Sequence, residues 1–268
     1  MVVEWEREAE LALKSVSKTS EILMGGLDVS KIDLKGDHKD IVTEHDVLCE
    51  KIILDVLKDS PIQAISEESA PSPQSIHDLF ESSCWLVDPI DGTTNFSSSM
   101  PLYASSVGLV VKGQFVVGAV SVPPQREIFF TYGNQGSFLN GKRMHIKDRA
   151  LKSASIVASF SNSKTFKEVR QREYTLFGKV NESARTALRL GSAAVNICYT
   201  ACGRLHGAYG FNAQLWDIAG GLAVASQAGC KIYTRIHPKS FTIDYIVGTP
   251  TVATELNALF QDEGVYNE

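Results

Sequence analysis

The stretch Cys84 to Phe96, CWLVDPIDGTTNF, limits what this chain can become more than any other. Three apolar residues, Trp85, Leu86 and Val87, run directly into Asp88, and a second carboxylate, Asp91, follows three residues later. Gly92, Thr93, Thr94 and Asn95 come next. The apolar run reads as a buried strand. A buried strand that ends on two acids carries charge that something must neutralise. Asp-Gly alone is a turn signal, but the whole block, with its acids and hydroxyls, points to a ligand.

Three further acidic features accompany it: SEES (Glu67, Glu68), LWDIAG (Asp217) and KDIVTEHD (Asp40, Asp46). Each falls at the end of an apolar stretch or at a helix start. Carboxylates gathered at element ends repel one another unless cations lie between them. Oxygen ligands without a histidine or cysteine cluster favour a hard ion such as Mg²⁺. Two such ions about 4 Å apart hold a phosphate and activate a water for in-line attack. Taken singly, each feature has a plainer reading. Glu67 and Glu68 then mark a solvated loop, Asp217 an N-cap, and Lys35 and Asp46 surface charges.

Apolar spacing predicts helices over residues 4–24 and 47–57, and IQAIS reads as a short strand before Glu67. After the central block, paired strands around Lys112-Gly113 and further turns at GNQ and Asn140-Gly141 predict an antiparallel meander. Beyond residue 150 strands alternate with helices. SAAVNICYTAC reads as a buried helix, another opens at Asp217, and a last one starts near Pro250 with Thr249 as its cap. The fold class expected is a layered α/β (α+β) arrangement. It forms a single unit over 1–268, with subdomains of about 1–150, rich in antiparallel strands, and 151–268, of α/β type.

Composition removes several functions. The formal net charge is −5, without a basic run of five or more, so a nucleic-acid partner bound through its phosphates is not expected. Anionic ligands remain open to an acidic protein if divalent cations neutralise its carboxylates first. The apolar stretch ASSVGLVVKGQFVVGAVSV is broken by Lys112 and Gln114 and has strand character, so no membrane span is expected. The N-terminus lacks the uncharged core of a signal peptide. Five cysteines without CxxC spacing read as free thiols in a reducing compartment. A cytoplasmic location follows.

Taken together, DIVTEHD (40–46), SEES (66–69), WLVDPIDGTTNF (85–96), GSAAVN (191–196) and WDIAGG (216–221) resemble the inositol monophosphatase family, in its order and at its spacing. The resemblance spans nearly the whole chain. It implies the αβαβα sandwich of the inositol monophosphatase and fructose-1,6-bisphosphatase type, two to three Mg²⁺ ions and a homodimer. It implies that Glu67, Asp88 and the Ile90 carbonyl hold one metal, and that Asp88, Asp91 and Asp217 hold a second. Glu67 and Thr93 would orient the attacking water. The Gly92 and Thr93 amides would face the phosphate, Gly191 and Ser192 would line the alcohol side, and Lys35, Asp46 and Glu68 would stand near the metals. The activity implied is hydrolysis of a small phosphate monoester of a polyol, cyclitol or sugar, like inositol 1-phosphate.

One position departs from the family. Its inositol-cleaving members carry a glutamate seven residues before the aspartate of the tryptophan block, and here that position is Gly210. The glycine predicts poor hydrolysis of inositol 1-phosphate, space for a bulkier alcohol, and a gain from Gly210→Glu. Histidinol phosphate, fructose 1,6-bisphosphate and 3′-phosphoadenosine nucleotides are alternative substrates. A covalent phospho-aspartate of the haloacid-dehalogenase type is disfavoured, because its acids stand two residues apart near the N-terminus. A non-catalytic regulatory protein of the same fold is the rival from a different class.

Overall fold

Apolar residues at helical spacing produce α1 (Glu6–Met24) and α2 (Glu44–Leu57) in the first quarter of the chain. The structure, a computed structural model, describes residues 5–25, 32–37, 40–72, 77–78, 80–160, 167–237 and 242–263, with the backbone path alone at 32–37, 40–42 and 167–170. A capping box starts α2. Thr43 Oγ1 accepts from the His45 and Asp46 amides, and Asp46 Oδ2 accepts from the Thr43 amide at 2.7 Å. Before it, β1 (Ile32–Asp37) and β2 (Asp40–Thr43) pair antiparallel, an element absent from the sequence reading.

The predicted meander is present. β3 (Ala64–Ser66), β4 (Ser83–Asp91), β5 (Ala104–Val111), β6 (Gln114–Val122), β7 (Glu127–Thr131), β8 (Ser137–Leu139) and β9 (Lys142–Arg143) lie side by side in chain order. All pairs are antiparallel except β3 with β4. The short helix α3 (Thr93–Ser97) leads from β4 toward β5. A second sheet follows, from β10 (Ser155–Ser159), β11 (Thr186–Leu188), β12 (Gly207–Gln214), β13 (Lys231–His237) and β14 (Thr242–Gly248) in the order β11-β10-β12-β14-β13. Between these strands run α4 (Lys167–Ser183), α5 (Ala193–Ala201) and α6 (Leu215–Gln227), with α7 (Pro250–Asp262) after β14. The sequence reading contained no β11.

Strand alternation assigns each face to a layer. Trp85, Val87, Val107 and Leu109 pack with Ala12, Val16, Ile53 and Val56 of α1 and α2. Their neighbours Cys84, Leu86 and Val110 face the other way, toward Ile197, Ile218, Leu222 and Val224 of α5 and α6. Val157, Ala208, Ile243 and Val247 of the second sheet close that same core. On its outer face, Ile156, Tyr209 and Ile246 meet Leu176 and Val180 of α4 and Val252, Leu256 and Phe260 of α7. Five layers result, αβαβα, as the resemblance implied.

The middle helix α6 lies unusually close to the first sheet. A Cβ on Gly118 would sit 2.1 Å from the Gly220 carbonyl oxygen, and one on Gly108 2.6 Å from the Gly220 nitrogen. Backbone therefore rests on backbone, and this contact sets the height at which the first turn of α6 meets the end of β4. Gly118→Ala is expected to lower unfolding free energy by about 3 kcal/mol or more, the upper range for overpacking. Denaturant melts test this, and a loss below about 1 kcal/mol contradicts the close-packing argument.

The last helix starts at Pro250, but Thr249 makes no side-chain cap bond. Asp148 supplies the cap instead, accepting from the Thr251 amide at 3.0 Å and from its hydroxyl at 2.6 Å. A capping acid about a hundred residues upstream leaves no local pattern in the sequence.

Candidate metal centre

β3 and β4 run parallel with Ser66 opposite Val87, so the chain emerges from them at Glu67 and Asp88 side by side. Alternation sends Asp88 to the face of Cys84 and Leu86, the face covered by α6. The β4–β5 register shifts between Asp88 and Asp91, where Pro89 interrupts the strand. The first turn of α6 brings Asp217 to the same place. Oxygens from Glu67, Asp88 and Asp217 all lie within 4.8 Å of one another.

Asp88 is 1% exposed and its Oδ1 has no hydrogen-bond partner. Burial raises its pKa well above the carboxylate range, and the charges of Glu67, Asp91, Asp217 and Asp46 raise it further. An orphaned, buried carboxylate oxygen between two other acids is what a bound cation satisfies. These residues fit a hard metal ion. The alternative of Asp217 as an N-cap is set aside, since Gln214 holds that place.

Asp91 is held differently. Its Oδ2 accepts from Ser192 Oγ at 2.5 Å and from the Ala194 amide at 2.6 Å, which fastens it to the start of α5. Burial pushes its pKa up to about 6 against these hydrogen bonds, which favour the charged form. Asp91 thus stands outside the group of three while lining the same cavity as Glu67 and Asp217. Ser192 also lines it, but its hydroxyl is committed to Asp91 and to the Val195 amide.

Thr93 Oγ1 lies 3.0 Å from the Ile90 carbonyl oxygen and 3.4 Å from Asp46 Oδ1. Asp46 is buried, not a surface charge, and its other oxygen accepts from the Thr43 hydroxyl at 2.6 Å. Gly92 takes φ 91°, and a Cβ there would come within 3.2 Å of the Gly191 and Leu102 carbonyls. Glu68 is half-buried on the turn after β3, beside Glu67 and outside the group of three. The side chains of Lys35 and Asp40 lie outside the described residues, although their backbones belong to β1 and β2.

Asn95 had no role in the sequence reading. Its Nδ2 donates to the Leu102 carbonyl at 2.6 Å and to the Leu190 carbonyl at 2.7 Å, tying the central block to the 190–192 segment. Gly191, at φ 88°, passes so close that a Cβ would stand 2.8 Å from that amide. The asparagine was visible in the motif, but its partner is 95 residues away.

Gly210 overturns an expectation. It leaves no space for a larger alcohol, because a Cβ there would lie 2.7 Å from Tyr245 Cε1 and 3.1 Å from Ser159 Cβ. The tyrosine ring already fills the volume, so Gly210→Glu is expected to strain the fold instead of restoring a contact.

Among the described residues no helix is long and apolar enough to cross a membrane. All five cysteines are free. The solved inositol monophosphatase of Anabaena (Nostoc) sp. PCC 7120 superposes with a TM-score of 0.79 at 20% identity, covering 96% of each chain, a likeness of fold. The extragenic suppressor protein SuhB of Bartonella henselae gives a TM-score of 0.80 at 26% identity, over 94% of this chain and 97% of that one. In sequence, inositol monophosphatase 2 of Solanum lycopersicum is 32% identical, covering 84% of this chain and 86% of its own length. The Nus factor SuhB of Escherichia coli strain K12 is 30% identical, covering 88% of each. The family model for inositol monophosphatases matches residues 4–264. With its layers, its acid centre and this match, the chain belongs to the inositol monophosphatase family.

Proposed function

We propose that this chain is a Mg²⁺-dependent phosphomonoesterase acting on a small polyol, cyclitol or sugar phosphate. The observation that carries the reading is the group Glu67, Asp88 and Asp217, with an orphaned oxygen on buried Asp88, at one end of a cavity of about 400 Å³. Those three residues, Asp91 and the Ile90 carbonyl would hold two to three Mg²⁺ ions, which when bound offset phosphate charge and make water a better nucleophile.

The chain's own groups do the positioning. Thr93 Oγ1 keeps its proton on the Ile90 carbonyl or Asp46 Oδ1 and so turns a lone pair toward the attacking water. Glu67 orients that water from the other side. The Gly92 and Thr93 amides face the phosphate, and Gly191 and Ser192 border the alcohol side. Lys35, Asp46 and Glu68 support the ligands from behind. The reading includes a homodimer in the cytoplasm, in keeping with the family and with five free thiols. A net charge of −5 favours a small-molecule partner over nucleic acid.

The likeness to a protein named Nus factor favours a second reading, a regulatory role without catalysis. The retained acid centre favours catalysis. Phosphate release with Mg²⁺ from inositol 1-phosphate, histidinol phosphate, fructose 1,6-bisphosphate and a 3′-phosphoadenosine nucleotide decides between them. No release across the panel sinks the enzymatic reading.

Metal binding also carries a pH signature. The folded-state pKa of Asp91 is about 6, above the ordinary carboxylate value of about 3.9, and that of Asp88 is raised too. In metal-free protein these acids therefore favour the fold at low pH, and that contribution is lost as pH rises through about 6. Mg²⁺ competes with protons for the same oxygens. It is expected to raise Tm by several degrees near pH 8 and by much less near pH 5. An equal rise at both pH values contradicts binding at this centre.

A further inference from the structure

The cavity changes character away from the acid centre. Its far wall is built from Ser159 and Phe160 at the end of β10, Arg189 after β11, and Asn196, Asn212 and Gln214. Among the described residues that line the cavity, Arg189 is the one cation, and the acids are Glu67, Asp91 and Asp217.

No described carboxylate pairs with Arg189. Its guanidinium lies over the Phe160 ring, 5.2 Å from the centroid. Phe160 makes T-shaped contacts in turn with Tyr174 and Phe177, ring centroids 5.5 and 5.6 Å apart. Arg189 is exposed, and a guanidinium held over an aromatic face by cation–π attraction still has N–H donors for a planar or tetrahedral oxyanion.

The rest of this wall is neutral. Ser159 Oγ is 2.8 Å from Tyr245 Oη and accepts from Asn196 Nδ2 at 3.0 Å, and Tyr245 covers Gly210. Among the described residues of this wall no carboxylate would receive the hydroxyls of a neutral polyol. A cation without a carboxylate partner among the described residues, in the same cavity as the candidate metal site, adds positive charge that an uncharged alcohol cannot use. An alcohol bearing an anion can use it.

Building on the phosphatase reading, we propose that this cavity selects phosphate monoesters whose alcohol carries a second oxyanion, phosphate or carboxylate, gripped bidentately by Arg189. Arg189 is then a specificity-determining residue, and the second anion is the feature recognised.

Calorimetric titration of the full-length protein, with Ca²⁺ in place of Mg²⁺, tests this on two matched pairs. Fructose 1,6-bisphosphate against fructose 1-phosphate probes a second phosphate, and 3-phosphoglycerate against glycerol 3-phosphate probes a carboxylate. The member of at least one pair that carries the second anionic group is expected to bind about tenfold tighter or more, the size of a charged hydrogen-bonded contact. Arg189→Gln should bring that ratio below about 3, and Arg189→Lys should leave it intermediate, since lysine keeps the charge but lacks the fork. Arg185→Gln, at an exposed arginine outside the cavity lining, should leave the ratio intact.

Equal affinities within both pairs overturn the proposal, as does the same ratio in Arg189→Gln and wild type. A changed elution volume for Arg189→Gln with an unchanged ratio assigns the residue to packing between copies and also overturns it. Hydrolysis of p-nitrophenyl phosphate with Mg²⁺, measured in parallel, reports on the phosphatase reading separately.

Discussion

Asp88→Asn is expected to reduce kcat by about 10³-fold or more, because one side chain would serve both metals that act on the phosphate and the water. The position is fixed on three sides. β4 places it, Glu67 adjoins it from the parallel strand, and the glycine contact of α6 sets the distance to Asp217. Asparagine keeps the shape but puts an NH₂ group where one of the two carboxylate oxygens stood, and an NH₂ cannot bind a cation. It also removes one charge from a crowded group, where burial and four acids raise the Asp88 pKa. The metal-free variant should therefore be at least as stable as wild type at neutral pH, while its stabilisation by Mg²⁺ largely disappears. These opposite signs separate a ligand from a structural residue. Near-wild-type kcat in a folded Asp88→Asn protein would remove Asp88 from the metal assignment.

Local chemistry was readable in the chain, and long-range chemistry was not. Trp85, Leu86 and Val87 announced a buried strand, and Asp88 and Asp91 announced charge at its end. Both features sit within one continuous stretch. The five layers were implied by the family resemblance that the motifs carry, while period-two alternation explains which face of each strand meets which layer. By contrast, the pairing of Ser192 with Asp91 spans 101 residues, and Asn95 reaches Leu190 across 95. Neither bond leaves a periodic signal. The β1–β2 hairpin was missed because IDLKGD and DIVT are short and rich in charge, which reads as loop. Gly210 misled for a physical reason. A missing side chain suggests space only if no neighbour fills it, and Tyr245 comes from β14, 35 positions later.

Thr93→Ala is expected to lower kcat by roughly 10–10³-fold, less than Asp88→Asn, since a water can partly replace a hydroxyl. The Thr93 hydroxyl is aligned by two acceptors, the Ile90 carbonyl at 3.0 Å and Asp46 Oδ1 at 3.4 Å. Asp46 cannot drift, because its other oxygen is held by the Thr43 amide and hydroxyl inside the capping box of α2. A hydroxyl locked in this way lowers the cost of ordering the attacking water, which acts on the transition state more than on substrate binding. KM should therefore move by less than about threefold while kcat falls. Thr93→Ser keeps the oxygen and should recover most of the rate, limited by the rotational freedom serine gains without the methyl group. Steady-state kinetics on the best substrate of the panel reads all three effects. A rise in KM with kcat unchanged would make Thr93 a residue that binds phosphate, not one that orients water. Failure of serine to rescue would place its contribution in packing.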